Sequence, residues 1–162
     1  MSRQPAGSDV FDAATRSAVM RAVRGRDTGP ELKVRRLLWR LGGRYRLNVR
    51  ALPGSPDIVL ASRRLAIFVH GCFWHGHDCA RGARVPKTNR PYWEAKVARN
   101  RARDDRTSAA LLKEGWRVAV IWECETRDPS ALEARLSQIL SATPPLSRSA
   151  QRRSGNLDAG AD

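Results

Sequence analysis

The chain has 162 residues, and its 30 lysine and arginine residues outnumber 16 aspartate and glutamate residues to give a formal net charge of +14. This length predicts one domain with its own core, and the charge favours a polyanionic partner such as nucleic acid, although a compositional bias towards arginine would produce the same excess. No apolar run approaches the roughly 20 residues of a membrane span, no signal-peptide core follows Met1, and three cysteines do not make a secreted disulfide framework, so we expect a soluble, cytoplasmic protein with reduced thiols.

Capping residues and apolar periodicity predict four helices along the chain. We place them at residues 12–23, 28–41, 91–114 and 129–140. The first 10 residues are polar and are expected to be flexible, and the proline-, serine- and arginine-containing tail 143–162 is expected to be disordered. Residues 11–142 would then form the domain.

Apolar runs between these helices predict four strands. We place them at residues 45–49, 58–61, 65–69 and 116–122. The run 65–69 is apolar throughout, which is typical of a central strand that is buried on both faces. Strands interleaved with helices predict an α/β fold in which helices flank a central mixed β-sheet.

All three histidines and two of the three cysteines lie in one short stretch, residues 69–80, V-H-G-C-F-W-H-G-H-D-C-A. A C-x4-H-x-C spacing and the remaining thiol suggest four ligands, Cys72, His77, Cys79 and Cys124. Three thiolates and one imidazole make a closed, tetrahedral zinc site. A chance grouping of buried thiols and surface histidines is the alternative. Zinc binding would leave His70 and His75 free, and Phe73 and Trp74 should protrude from a stiff loop.

Three carboxylates are predicted to face inward. Asp57 precedes the buried run 58–61, where an acid is costly unless something binds it, although an aspartate beside proline is more often a surface-turn residue. Glu31 shares a helix face with Val34, although a first-turn glutamate commonly just complements the helix dipole. Asp104 lies on the inward stripe of the long helix.

An acid after proline at the start of one strand, followed by a buried strand that leads into a second cluster, resembles the layout of the PD-(D/E)xK nucleases. Where that superfamily has an acid and a lysine, this chain reads Phe68-Val69-His70. The chain closely resembles the very short patch repair endonucleases over about residues 9–140. The motifs that carry the resemblance are T-R-S-x-x-M-R-A-V around Met20, R-D-T at 26–28, G-S-P-D ending at Asp57, H-G-C-F-W-H from His70, and W-E-C at Cys124.

The resemblance implies a restriction-endonuclease-like fold and an enzyme that nicks DNA at T:G mismatches left by deamination of 5-methylcytosine. It implies that Asp57 binds catalytic Mg²⁺, that His75 acts on the attacking water, and that Glu31 and Asp104 support the site directly or through metal-bound waters. We add His70 as a catalytic candidate. The resemblance gives structural Zn²⁺ to Cys72, His77, Cys79 and Cys124, and we expect DNA contacts from Phe73, Trp74, Trp93, Met20 and Arg16. Val69 stands where the family commonly has threonine.

Two other functions fit parts of the sequence. One is a non-catalytic, zinc-stabilised nucleic-acid-binding module, and the other is a restriction-type nuclease on the same scaffold. Three inward carboxylates in a basic protein favour an enzyme, because a binding module gains nothing from them. Trp93 could also be a core residue, the commoner fate of tryptophan. The partners implied are double-stranded DNA with a T:G mismatch, mismatch-repair proteins and a functionally linked DNA cytosine-5 methyltransferase, and we expect a bacterial, nucleoid-associated monomer.

Overall fold

A computed structural model of the protein describes residues 26–84, 86 and 89–142. The predicted helix 12–23, the N-terminal segment and the tail 143–162 lie outside the described residues. The described helices are α1 (Gly29–Arg40), α2 (Arg90–Lys113) and α3 (Pro129–Ser141). The described strands are β1 (Arg46–Leu47), β2 (Ile58–Leu60), β3 (Leu65–His70) and β4 (Arg117–Trp122). Short 3-10 helices follow β2 and β4, at Ala61–Arg63 and Glu123–Arg127.

The strands form one mixed sheet in the order β1-β2-β3-β4. The β1–β2 and β2–β3 pairs are antiparallel, and β3 pairs with β4 in parallel, with His70 opposite Trp122. A parallel pair needs a long crossover connection, which here contains α2. The carboxyl ends of β3 and β4 therefore meet at one edge of the sheet. The predicted α/β class and the mixed sheet are confirmed.

The core lies between the sheet and the helices α1 and α3. It contains Val34, Leu37 and Leu38 of α1, Ile58 and Leu60 of β2, Leu65 and Ile67 of β3, Ile121 of β4, and Leu132, Leu136, Ile139 and Leu140 of α3. Val59 and Ala66, which point to the opposite face by strand alternation, are also buried. Along α2 only Leu111 is fully buried. That helix is thus free to form the wall of a cleft rather than the core.

The described helices match the prediction closely, whereas β1 and β2 end earlier than expected and β4 begins one residue later, at Arg117. The prediction of a strand over 45–49 was too long, because Asn48 adopts a left-handed φ of 48° that breaks the extended chain after Leu47. β2 ends at Leu60, because the backbone turns into the first 3-10 helix. Among the described residues, no helix combines the length and the apolarity needed to cross a bilayer.

Candidate active site and metal centre

A cleft of about 730 Å³ lies between the start of α1, the loop before β2, the end of β3 and one side of α2. It is lined by all five catalytic candidates, Glu31, Asp57, His70, His75 and Asp104. These residues come from four separate segments of the chain. The structure therefore brings together the set that the sequence singled out, and it leaves their roles as predictions.

Asp57 is positioned by the antiparallel pairing of β2 and β3. Because Ile58 lies opposite Ile67, the residue before β2 lies beside the end of β3. Its Oδ2 atom accepts a hydrogen bond of 2.8 Å from the backbone N–H of Val69. Burial raises the pKa of Asp57 above its ordinary value, and this hydrogen bond opposes the rise. A carboxylate in such a position favours a nearby cation.

Glu31 is buried and lies in the first turn of α1, as its sequence position indicated. Its Oε1 accepts a 2.9 Å hydrogen bond from the hydroxyl of Thr28, the N-cap residue of α1, and Oε2 accepts bonds from the Asp27 N–H and from Arg35, at 3.1 and 2.7 Å. The Thr28 hydroxyl also accepts a 3.4 Å hydrogen bond from the Glu31 N–H, so Glu31 takes part in the N-cap of α1 and forms a buried ion pair with Arg35. The charge of Glu31 also adds to the effect of burial in raising the pKa of Asp57.

His75 forms the shortest contact among the catalytic candidates. Its Nδ1 lies 2.5 Å from Oδ2 of Asp104. In the neutral imidazole, with the Nδ1 hydrogen donated to the Asp104 carboxylate, Nε2 is left without a proton and can accept one. The imidazole ring of His70 stacks on that of His75, with centroids 3.9 Å apart and planes 10° apart. Burial, followed by repulsion from His75, lowers the pKa of His70 to about 4.

The four predicted zinc ligands meet at the carboxyl edge of the sheet. Three of the ligands, Cys72, His77 and Cys79, belong to the loop 71–79 that follows β3. We call this loop the His-Cys loop. The fourth ligand, Cys124, follows β4. One ligand atom from each residue lies within 4.8 Å of the others. The Cys124 Sγ to His77 Nδ1 distance is 3.5 Å, and a tetrahedral zinc ion with ordinary bond lengths would separate these atoms by about 3.5 Å.

The surroundings of this cluster also fit a cation. Burial raises the pKa of the Cys72 thiol to about 12, so a positive charge is needed to keep it as a thiolate, whereas hydrogen bonding with His77 lowers the pKa of Cys79 to about 6. The second ring nitrogen of His77 lies 3.3 Å from Oδ1 of Asp78. Metal-bound histidines usually have such a partner on the other nitrogen. The cluster could therefore hold a metal ion.

Helix α2 holds the His-Cys loop in place through contacts that the sequence analysis did not find. The Asn100 amide donates a 2.8 Å hydrogen bond to the carbonyl of Trp74, and Arg101 donates to the carbonyls of His75, at 3.1 Å, and Gly76. The periodicity of α2 places Asn100 on its inward stripe, but nothing in the sequence indicates that Arg101 reaches back to the loop.

The three aromatic residues predicted to contact DNA form one cluster. The ring of Phe73 lies 5.0 Å from that of Trp74 and 5.4 Å from that of Trp93, and the two tryptophans are 6.1 Å apart. All three are only half-buried. Trp93 is therefore not a core residue, the alternative that its position on the inward stripe of the helix had left open. Lys96 lies over Trp74, with Nζ 5.2 Å from the ring centre. The other DNA-contact candidates, Arg16 and Met20, lie outside the described residues.

Four further charged residues line the cleft, namely Arg81, Lys96, Arg103 and Glu123. Arg81 and Glu123 face each other with 3.2 Å between Nη1 and Oε1, and Glu123 directly precedes Cys124. The sequence analysis did not single out either residue. The W-E-C motif offered a signal for Glu123, because a residue next to a candidate ligand must lie near the site.

The family model for the DNA mismatch endonuclease Vsr matches residues 8–81. Over 133 residues, covering 82% of this chain and 97% of the relative, the chain is 54% identical to the type II nicking enzyme V.XorIIP of Xanthomonas oryzae pv. oryzae. The chain belongs to the Vsr family. Another Vsr relative, the type II nicking enzyme V.NmeAIP of Neisseria meningitidis, is 39% identical over 82% of this chain and 94% of its own length. The DNA mismatch endonuclease Vsr of Escherichia coli is 44% identical over 74% of this chain and 76% of its own length.

Vsr membership confirms the family resemblance that the motifs suggested. It also confirms the prediction of an endonuclease, since the relatives are named as endonucleases and nicking enzymes. The alternative function, a non-catalytic binding module, is thereby disfavoured.

Proposed function

We propose that this Vsr-family protein nicks one DNA strand beside a T:G mismatch that arises when 5-methylcytosine is deaminated, and that it thereby initiates very short patch repair. The observation that carries the proposal is the cleft in which Asp57 lies together with the hydrogen-bonded pair of His75 and Asp104. A metal-binding carboxylate and a positioned base are the two groups that phosphodiester hydrolysis needs.

Asp57 would hold magnesium, which prefers oxygen ligands. The raised pKa of this buried carboxyl supports the assignment, because a bound cation would relieve the cost of its charge. When bound, the ion would supply charge neutralisation at the phosphate. Glu31 lines the same cleft but already accepts three hydrogen bonds, from Asp27, Thr28 and Arg35. Its proposed role is therefore to hold the start of α1 in place and to act electrostatically on Asp57.

His75 would act as the general base. Asp104 holds Nδ1 at 2.5 Å, which fixes the ring and leaves Nε2 to take a proton from the attacking water. The carboxylate would also stabilise the imidazolium that forms. His70 stacks behind this ring and restricts its rotation. The missing lysine of the wider superfamily is thus replaced by a histidine and aspartate pair.

Zinc would occupy the cluster of Cys72, His77, Cys79 and Cys124 as a structural ion. Four protein ligands leave no open position on zinc, so its contribution would be to fix the loop that aims His75 and the aromatic residues. The mixed sheet, with Asp57 beside the end of its central strand, supports a restriction-endonuclease-like fold.

Mismatch choice would depend on the aromatic cluster. A T:G wobble pair unstacks at lower cost than a paired step, so insertion of Phe73, Trp74 and Trp93 would favour mismatched DNA. The excess of basic residues would bind the phosphates. Met20 and Arg16 would add contacts from the N-terminal segment. Such an enzyme would work as a monomer on nucleoid DNA in the cytoplasm, alongside mismatch-repair proteins and a DNA cytosine-5 methyltransferase that creates the vulnerable base.

The test compares end-labelled duplexes that carry T:G, T:A or C:G at one position in a methylation-site context, first with magnesium and then with a chelator. We expect a single-strand nick in the T:G duplex alone, and only with magnesium. Asp57→Ala should abolish nicking while T:G binding persists, and Asp105→Ala, on the exposed side of the same helix as Asp104, serves as the control. Equal cleavage of all three duplexes would indicate a restriction-type nuclease, and near-normal nicking by Asp57→Ala would overturn the magnesium assignment.

A further inference from the structure

His70, His75 and Asp104 form a second group of potential metal ligands, separate from the four cysteine and histidine residues of the zinc cluster. One ligand atom of each lies within 4.8 Å of the other two. Ligand atoms bound to one ion at about 2.0–2.2 Å can be at most about 4.4 Å apart. Because an ion binds an imidazole in the plane of its ring, the stacked rings of His70 and His75 would have to tilt apart to bind a single ion.

We propose that these three residues bind Zn²⁺ as a second, inhibitory ion. Two imidazoles and one carboxylate suit zinc and similar transition metals, whereas magnesium prefers an all-oxygen shell. Three protein ligands leave at least one position open on zinc, so the ion would differ in kind from the structural one. The inhibitory effect rests on the proposed function, because it follows from occupying His75, the proposed base.

The proposed proton transfer does not explain the position of His70. The proposed proton transfer uses His75 and Asp104, but it gives His70 no contact with the reacting atoms. The His70 ring is nevertheless held in place, stacked 3.9 Å from His75 and with the Trp122 ring 5.4 Å away. It also lines the same cleft as the other two residues, through which an ion could enter.

The three residues of the second site are largely shielded from solvent. His70 is 9% exposed, and the side chains of His75 and Asp104 are 15% and 23% exposed. An ion would replace the hydrogen bond between His75 and Asp104 and the stacking of His70 on His75, and it would compete with the Arg103 guanidinium, which lies 3.7 Å from Asp104. Asp57 is not in this group, so magnesium at Asp57 and zinc at the second site would use different first ligands.

The experiment starts from protein dialysed to one zinc per chain and titrates it with Zn²⁺ by calorimetry. We expect one further equivalent to bind, and His70→Asn and Asp104→Asn to weaken that binding at least tenfold. Asp105→Asn is the matched control, because Asp105 is the exposed neighbour of Asp104, and it should bind like the wild type. Retention of the first zinc and an unchanged circular dichroism spectrum would show that each variant is folded.

A second arm measures nicking of the T:G duplex at fixed magnesium with increasing Zn²⁺. Nicking by the wild type should fall to half at the Zn²⁺ concentration that half-fills the second site. His70→Asn should need at least ten times more Zn²⁺ to fall to half of its own rate without added zinc. The absence of a second equivalent in calorimetry would overturn the proposal. So would loss of second-zinc binding in Asp57→Asn with retention in His70→Asn, since the ion would then lie at the magnesium position. A protein that binds the second zinc but never nicks would refute the proposed function and not the site.

Discussion

Replacement of Gly76 by alanine should destabilise the protein and disturb the His-Cys loop. Gly76 lies between His75 and His77 and has a φ of 62°, in the left-handed region. A Cβ atom there would lie 2.6 Å from Cγ1 of Val97 and 2.9 Å from a guanidinium nitrogen of Arg101. The arginine can move, but Val97 is fixed on helix α2, so the loop has to shift.

The chain offers a matched control in Gly42, which has a φ of 77° and no atom within 4 Å of its would-be Cβ. An L residue in the left-handed region costs about 1–2 kcal/mol. Reduced freedom of the unfolded chain offsets about 0.4–1 kcal/mol of that. Gly42→Ala should therefore lower the free energy of unfolding by about 1 kcal/mol. Gly76→Ala adds the cost of overpacking, typically about 1–3 kcal/mol.

Urea unfolding of the two single variants measures this difference, and Val97→Ala supplies the third arm. Removing Cγ1 of Val97 should recover part of the loss in the double variant Gly76→Ala/Val97→Ala, giving a favourable coupling energy in the double-mutant cycle. Nicking by Gly76→Ala should also fall, by up to about 100-fold, because His75 and the aromatic residues move with the loop. Equal destabilisation by Gly42→Ala and Gly76→Ala, or no coupling to Val97, would refute the reasoning.

Three more predictions concern the site itself. Trp74→Ala should cost about 1–3 kcal/mol of binding, more for a T:G than for a T:A duplex, and equal losses in a gel-shift titration would make Trp74 a general contact. Cys124→Ser should lose the zinc, measured by elemental analysis, together with much of the fold, and a metal-free but active wild type would exclude a structural ion. Asp104→Asn should lower kcat by about 10²–10⁴-fold with binding retained, because it removes the carboxylate that holds His75, and an unchanged kcat would remove His75 as the base.

The sequence predicted the described helices well, because local capping and periodicity signals define them, and it singled out residues that the fold brings together in one cleft. Thr28 and Asp128 cap α1 and α3 as their sequence positions indicate, and the apolar stripe of α3 is buried. Asp104 was identified as inward-facing from helix periodicity alone, and it lies in the cleft. The sequence could not reveal its partner, since a contact between residues 75 and 104 depends on how the crossover helix packs.

The sequence was weaker where single backbone angles or long-range pairs decide the structure. The left-handed φ of Asn48 ends β1, and although asparagine tolerates this conformation, the alternation of Tyr45, Leu47 and Val49 predicted a strand that continues. The salt bridge between Arg81 and Glu123 joins the segment after the His-Cys loop to the end of β4 across 42 positions. Such pairs follow from the parallel register of β3 and β4, which hydrophobic periodicity does not specify.

That register also shows how the proposed structural ion and the proposed catalytic base would depend on one another. Because β3 and β4 are parallel, Trp122 lies opposite His70 at the edge where both metal clusters are built. Its ring stacks on His77 at 4.3 Å and contacts the edges of the His70 and His75 rings at 5.4 and 6.4 Å. One indole therefore lies between the proposed zinc ligands and the pair of His75 and Asp104, and it contacts His77 on one side and His75 on the other. A shift of His77 on loss of zinc would be transmitted to His75 through this ring as well as along the loop, so the metal would stabilise the geometry of the base without taking part in the reaction.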